Sequence, residues 1–274
     1  MKQLLAANGI RLTKSLGQNF LHDGNQLRRI VAAAELVRSD NVLEIGPGLG
    51  PLTKYLLARA GHVLAIEKDA KLVEALTAQM NTESNLTLIH DDALEFLKRD
   101  RRIWRDWKLV ANLPYSTASP MIVELALAEH MPERMVVTLQ IEVARRLMAQ
   151  PGSADYGVLS LLVQLSYEPR QYFKIPASCF FPQPDVDSAC VCLVRRPQPL
   201  LGPAQKSTFV RLVKRGFSQR RKMMLKLLKE EWPAEHLSQA YAELKLSPQS
   251  RAEDITLEQF IALARAVSFS PLVP

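Results

Sequence analysis

Cysteine is scarce in this sequence and poorly placed for metal or disulfide chemistry. The 3 residues, Cys179, Cys190 and Cys192, are odd in number and lack any ligand or redox spacing. Cys190 and Cys192 fall two apart, on one face of an expected strand, and read as small core residues with reduced thiols. The 5 histidines never recur at metal-binding intervals, so no metal site is expected. No Pro-Cys pair offers a nucleophile for cytosine ring-carbon chemistry, and no G-x-S-x-G elbow is present. With only 11 Gly and 17 Pro against 47% hydrophobic residues, the composition excludes a disordered or low-complexity chain. No apolar run approaches the roughly 18 residues of a membrane span. The apolar stretch before Asn8-Gly9 is too short for a secretory signal. A cytoplasmic location and no membrane partner are therefore expected. Nothing suggests a coiled coil, and a monomer is expected.

Positive charge is in excess. The formal charge is +7 and the pI about 9.4, which suits a polyanionic partner without identifying one. Most of the excess lies late in the chain. Residues 205–268 carry 12 basic and 7 acidic residues, a net +5, whereas residues 1–200 carry 23 and 21, a net +2. The densest cluster is Lys214, Arg215, Arg220, Arg221 and Lys222, which is either a solvated helix face or a phosphate-contacting surface.

From residue 42 to about 140, apolar runs alternate with helical patterns. Val42–Ile45, Val63–Ile66, Leu86–Ile89, Leu109–Ala111 and Met135–Leu139 read as strands. Leu52–Ala60, Asp69–Met80 and Ser119–Ala128 read as helices. The alternation predicts an α/β fold with right-handed crossovers, a mostly parallel sheet and helices on both faces. Leu159–Ser166, Gln171–Ile175 and Ala189–Val194 read as later strands, added antiparallel at the sheet edge. Pro197, Pro199, Gly202 and Pro203 crowd one stretch and mark a boundary. The expected domains are a Rossmann-like domain over residues 1–200 and a small, basic, all-helical domain over residues 201–274.

The segment Val42 to Leu52 runs from strand through a glycine-rich turn, Gly46-Pro47-Gly48-Leu49-Gly50, into a helix. Gly46 and Gly48 permit close backbone approach to a ligand. A dinucleotide fingerprint, G-x-G-x-x-G, would place a third glycine or alanine where Pro51 stands, and it serves to hold a pyrophosphate. G-x-G-x-G with Glu44 two positions earlier fits a methyltransferase loop better, since S-adenosyl-L-methionine has no phosphate. Glu67 ends the second strand, where a carboxylate can accept from the ribose hydroxyls. Asp92 follows the third strand and is placed to accept from the cofactor's adenine amino group, with Asp91 as a competing candidate.

Asn112-Leu113-Pro114-Tyr115 follows the fourth strand, at the strand ends where open α/β sheets bind ligands. An adenine amino nitrogen is a poor nucleophile because its lone pair is delocalised into the ring. Two acceptors, the Asn112 side-chain oxygen and the backbone carbonyl of Leu113 or Pro114, would hold its two N–H groups and align the nitrogen with a sulfonium methyl. Tyr115 can stack on an extruded base and offset part of the unstacking cost. Pro114 stiffens the turn. These residues point to methylation of adenine amino groups, in either DNA or RNA.

On these segments the chain resembles the KsgA (RsmA) family of ribosomal RNA adenine dimethyltransferases over nearly its whole length. The resemblance is carried by KSLGQNFL at 14–21, LEIGPGLGPLT at 43–53, IEKD at 66–69, DDA at 91–93, NLPY at 112–115 and FFPQPDVDSA at 180–189. It implies transfer of four methyl groups to two adjacent adenosines near the 3′ end of small-subunit (16S) rRNA, late in assembly of that subunit. It implies a cofactor pocket lined by Asn19, Leu21, Gly46, Glu67, Asp92 and Asn112, and Phe181 flanking the target base opposite Tyr115. The GQNFL segment would close over the cofactor as a lid. Asp185 departs from the pattern, standing where the family has a basic residue. A non-enzymatic role in ribosome assembly or transcription is the alternative from another class, and intact Asn112–Tyr115 argues against it.

Overall fold

The structure is a computed structural model that describes residues 19–100 and 102–268. Gly17 and Gln18 of the expected lid lie outside the described residues. The chain separates into two compact units, residues 1–144 with 168–195, and residues 145–167 with 196–274.

The first unit holds a seven-stranded sheet. Its strands are β2 (Asn41–Ile45), β3 (His62–Glu67), β4 (Leu86–His90), β5 (Trp107–Asn112), β6 (Arg134–Gln140), β7 (Tyr167–Ile175) and β9 (Ser188–Arg195). They lie in the order β4-β3-β2-β5-β6-β9-β7. β2 pairs parallel with β3 and β5, β3 with β4, and β5 with β6. β9 returns antiparallel to β6. The central strands are buried on both faces, so they read as near-continuous apolar runs without alternation. A separate two-stranded ladder joins β1 (Phe20–Leu21) to β8 (Phe180–Phe181), pairing Phe20 with Phe181 and Leu21 with Phe180.

The helices of this unit are α1 (Gly24–Ala33), α2 (Pro51–Leu57), α3 (Ala70–Gln79), α4 (Ala93–Arg99) and α5 (Ala118–Leu127), and α6 (Ile141–Met148) leads out of it. Asp23, Asp69 and Asp92 cap α1, α3 and α4 by accepting backbone N–H bonds from the first turn. Pro51 begins α2, where its missing N–H costs nothing. Because β2 has β3 on one side and β5 on the other, successive crossovers diverge there. A crevice opens at the carboxyl ends of β2 and β5.

The second unit contains α7 (Val158–Gln164), α8 (Pro203–Gly216), α9 (Met224–Leu228), α10 (Ala234–Glu243) and α11 (Leu257–Val267). Phe260 packs edge-on to Phe209 and stacks on Phe217, and the Tyr156 hydroxyl donates to the Ile255 carbonyl at 2.9 Å. Of residues 159–166, expected as a strand, 159–164 fall on helix α7 and 165–166 form the turn after it. Ser160 through Gln164 are all buried, the polar Ser160 and Gln164 with their apolar neighbours, so a run this short shows no amphipathic period to reveal its type. The division between the units falls after Arg195, and residues 145–167 cluster with the later helices. No helix among the described residues is long and apolar enough to cross a membrane.

Candidate active site

The carboxyl ends of the central strands surround a cavity. Ile45 and Gly46 contribute from β2 and its turn, Ile66, Glu67 and Lys68 from β3, Asp91 and Asp92 from the turn after β4, and Asn112 to Thr117 from β5 onward. Asn19, Phe20, Leu72, Ala93 and Met121 complete the lining. The glycine loop is shaped by two needs. Gly46 has φ +69° with nothing closer than 3.8 Å to a built Cβ, so conformation alone demands glycine. At Gly48, φ is +60° and a Cβ would meet the Phe20 ring at 2.5 Å, so both conformation and space demand it. Gly48 is not among the cavity-lining residues.

Glu67 anchors this loop. Its Oε2 accepts from the Gly48 N–H at 3.1 Å, and its Oε1 accepts from Lys68 and Asp69 N–H at 2.9 and 3.0 Å. Burial raises its pKa, and the three backbone donors oppose that rise. A carboxylate offers about four lone-pair sites, so these bonds leave room for a further donor on Oε2.

Asp91 and Asp92 separate into different roles. Asp91 is ion-paired with Arg99 and accepts from the Asp92 N–H at 2.8 Å. Asp92 uses Oδ1 to cap α4 and Oδ2 to accept from the Lys68 ammonium at 2.8 Å. The Lys68 bond is the largest influence lowering its pKa. Lys68 was not anticipated from sequence, where it is one basic residue among many.

Asn112 ends β5. Its Nδ2 donates to the Asn19 backbone carbonyl at 2.9 Å, and its Oδ1 is buried with no hydrogen-bond partner. A buried orphan acceptor costs roughly 1–3 kcal/mol, and its retention needs an explanation. The Pro114 carbonyl accepts from the Thr117 and Ala118 N–H groups at 3.1 and 3.0 Å, which starts α5. The Tyr115 hydroxyl and the Ser188 hydroxyl are hydrogen-bonded at 2.6 Å, and Ser188 is fully buried at the head of β9. Burial pushes the Tyr115 pKa up, with the Ser188 bond opposing.

Leu21, expected in the cofactor pocket, and Phe181, expected beside the target base, are not among the residues lining the cavity. Leu21 is 2% exposed and packs into the main core, so only its backbone is available to a ligand. Phe181 packs, partly buried, against Phe20, Leu49 and Leu72.

S-adenosyl-L-methionine suits this arrangement. Among the described residues lining it, the cavity carries Glu67, Asp91 and Asp92 against one cation, Lys68, with Arg99 paired to Asp91 from outside the lining. This balance suits a sulfonium better than a pyrophosphate. Ile66, Leu72 and Phe20 provide apolar surface between the acceptors.

The family model for ribosomal RNA adenine dimethylase matches residues 9–268. The chain belongs to that family. It is 39% identical to the ribosomal RNA small subunit methyltransferase A of Clostridium perfringens, covering 97% of this chain and 94% of the relative. Identity to the protein of the same name from Pelotomaculum thermopropionicum is 40%, over 96% and 94%. Among solved structures, the 23S rRNA methyltransferase ErmE superposes with TM-score 0.70 at 26% identity, covering 90% of this chain and 99% of that one. A dimethyladenosine transferase from Plasmodium falciparum shares the fold with TM-score 0.76 at 24% identity, over 89% and 95%.

Within the family segment FFPQPDVDSA, Ser188 is the residue whose contact with Tyr115 sequence reading missed. The available signal was a hydroxyl heading an otherwise apolar strand, SACVCLV. Ser188→Ala should lower kcat/KM by about two- to tenfold, the worth of one neutral hydrogen bond. Tyr115→Phe should cost the same, and the double variant no more than either. Fully additive losses in such a cycle would show that the two hydroxyls do not act together.

The basic cluster lies in the second unit. Lys214, Arg220, Arg221 and Lys222 are exposed. Arg215 differs. It donates to the Leu227 carbonyl at 3.0 Å and is ion-paired with Glu230, so it braces the helices. Arg220 donates to the Ala154 carbonyl at 3.0 Å and lies 3.7 Å from Glu253.

Proposed function

We propose that this chain dimethylates the exocyclic amino groups of two adjacent adenosines near the 3′ end of small-subunit (16S) rRNA during subunit biogenesis, with S-adenosyl-L-methionine as donor. The observation that carries the reading is Asn112, a buried amide beside the cavity whose nitrogen is already engaged and whose oxygen is not. Family membership supports the substrate class.

When bound, S-adenosyl-L-methionine supplies an electrophilic methyl group. Glu67 Oε2 would accept from its ribose and Asp92 Oδ2 from its adenine amino group, the latter sharing that oxygen with Lys68. The turn then handles the target base. Asn112 Oδ1 accepts one N–H of the adenine amino group. Of the two carbonyls that could accept the other, Pro114 is committed to α5, which leaves Leu113. Two acceptors at one nitrogen localise its lone pair and draw off positive charge as the new C–N bond forms. Tyr115, held by Ser188, stacks on the base. Phe181 would need a side-chain movement to flank the base from the other side.

The test is incubation of the protein with labelled cofactor and either unmethylated small-subunit particles or duplex DNA. Label is expected in the particles as dimethyladenosine. Label confined to DNA, or none in either, would overturn the reading. Exposed Lys214, Arg221 and Lys222, with Arg220, are proposed to contact RNA phosphates. Arg221→Glu with Lys222→Glu should weaken RNA binding and make the slope of log K against log salt shallower by about 1–2. An unchanged slope would leave the cluster as a solvated face.

A further inference from the structure

The orientation of the Asn112 amide is decided outside the tetrapeptide. An amide can present either its oxygen or its nitrogen to a ligand, and the two orientations are opposite in function, acceptor against donor. Here the Nδ2 group donates to the Asn19 backbone carbonyl at 2.9 Å. A rotated amide would set oxygen against oxygen at that distance. Asn19 is itself fixed by the next three residues of the chain. Phe20 and Leu21 pair with Phe181 and Phe180, and the His22 N–H donates to the Cys179 carbonyl at 3.0 Å. Phe20 covers Gly48, and Phe180 is 2% exposed within the main core.

We infer that the Asn19 backbone carbonyl, carried on the β1–β8 ladder, is a positioning group that locks the Asn112 amide with its oxygen left for the substrate. The inference rests on the proposed adenine methylation and adds to it a dependence of the reacting geometry on the N-terminal strand. The glycine loop and the tetrapeptide are then linked through residues 19–21, because the same strand shapes both. Phe20 sits on Gly48 and Asn19 holds Asn112.

Asn112→Asp tests this directly. Its carboxyl can reproduce the wild-type arrangement only when protonated, donating to the Asn19 carbonyl through one oxygen and accepting through the other. Once ionised, it places a negative oxygen against a carbonyl oxygen. The other ionisable groups lining the cavity, Glu67, Lys68, Asp91, Asp92 and Tyr115, are common to variant and wild type. Activity of Asn112→Asp relative to wild type, on unmethylated small-subunit particles, should therefore fall as pH rises, by about tenfold per unit once the carboxyl has ionised. Asn112→Ala should show no such trend. A ratio for Asn112→Asp that is flat with pH would overturn the inference, since an ionised carboxylate would then serve as well. Calorimetric binding of S-adenosylhomocysteine checks that each variant is folded.

A second variant leaves Asn112 in place. Phe180→Ala loosens the ladder from its core side, away from the cavity lining. It should lower kcat by about tenfold or more, the scale of a small misplacement at a reacting centre, with the Kd for S-adenosylhomocysteine changed less than threefold. An unchanged kcat would overturn the inference. Absence of methyl transfer by the wild-type protein would instead strike the proposed function itself, so the two failures are distinguishable.

Discussion

Asn112→Ala is expected to lower methyl transfer to small-subunit particles by roughly 10²–10³-fold, the usual cost of deleting one preorganised polar group that acts on charge developing in the transition state. The size of the effect reflects what the site already tolerates. The folded protein keeps a buried carbonyl oxygen without a partner, a feature that weakens the fold and is useful only if a ligand supplies the missing donor. Alanine removes the acceptor and leaves the cofactor contacts proposed for Glu67 and Asp92 untouched. Binding of S-adenosylhomocysteine should consequently change by less than about tenfold, below 1.4 kcal/mol. Label transfer from the tritiated cofactor and calorimetry on the same preparation measure the two quantities. Wild-type activity in the variant would remove Asn112 from the mechanism.

The second large effect concerns stability. Glu44 lies in β2 beneath the glycine loop, is 1% exposed, and has a buried Oε2 without a partner. Burial pushes its pKa from 4.5 up to about 8; the Thr53 hydroxyl beside it opposes the rise, and the nearby Glu67 carboxylate adds to it. The folded protein therefore holds this proton over a range in which the unfolded chain has lost it. Well below pH 4.5, both states are protonated and the residue is neutral in its effect. As pH rises toward 8 the unfolded state alone ionises, and stability declines by about 1.4 kcal/mol per unit. The total is on the order of 4 kcal/mol by pH 8, beyond which the decline ends because both states are ionised. Glu44→Gln keeps the shape and removes the titration. Its advantage over wild type should be smaller at pH 5 than at pH 8 by on the order of 3 kcal/mol. Urea midpoints at pH 5, 6.5 and 8 give the comparison, and a difference between the two proteins that does not change with pH would contradict it. Glu67, whose raised pKa acts in the same direction, is present in both proteins and enters the difference only through its coupling to Glu44.

The two residues differ in how much of their role could be read in advance. Asn112 stands in a tetrapeptide after an apolar strand, so its position at the sheet's ligand-binding end was legible. The identity of its partner was not, because Asn19 is 93 positions away. Nor was it legible that the Pro114 carbonyl is engaged by the Thr117 and Ala118 N–H groups at the start of α5, the contact that favours Leu113 in the proposed mechanism. Glu44 was noticed as part of a spacing, yet nothing in that spacing says how dry its surroundings are.

Elsewhere the division is similar. The parallel strands and their order of appearance were evident because a strand buried on both faces is apolar throughout and is bounded by turns. Helix α7 was misread because full burial erases the same contrast that marks an amphipathic helix. Arg215 looked like its neighbours in a basic cluster, and only the packing of α8 against the next helix showed that it braces the fold.

The sequence by itself determined the alternation of strand and helix, the glycine loop, the placing of Glu67, Asp92 and Asn112 at strand ends, and, through its family segments, the class of substrate. These are local matters, set by side-chain period, backbone freedom and the residues next in the chain. The tertiary structure decided which acceptors remain open, which charges are paired, how Ser188 meets Tyr115, and which way the Asn112 amide faces. Those depend on groups far apart in the chain that share one small volume, and on how much water the fold removes from around them.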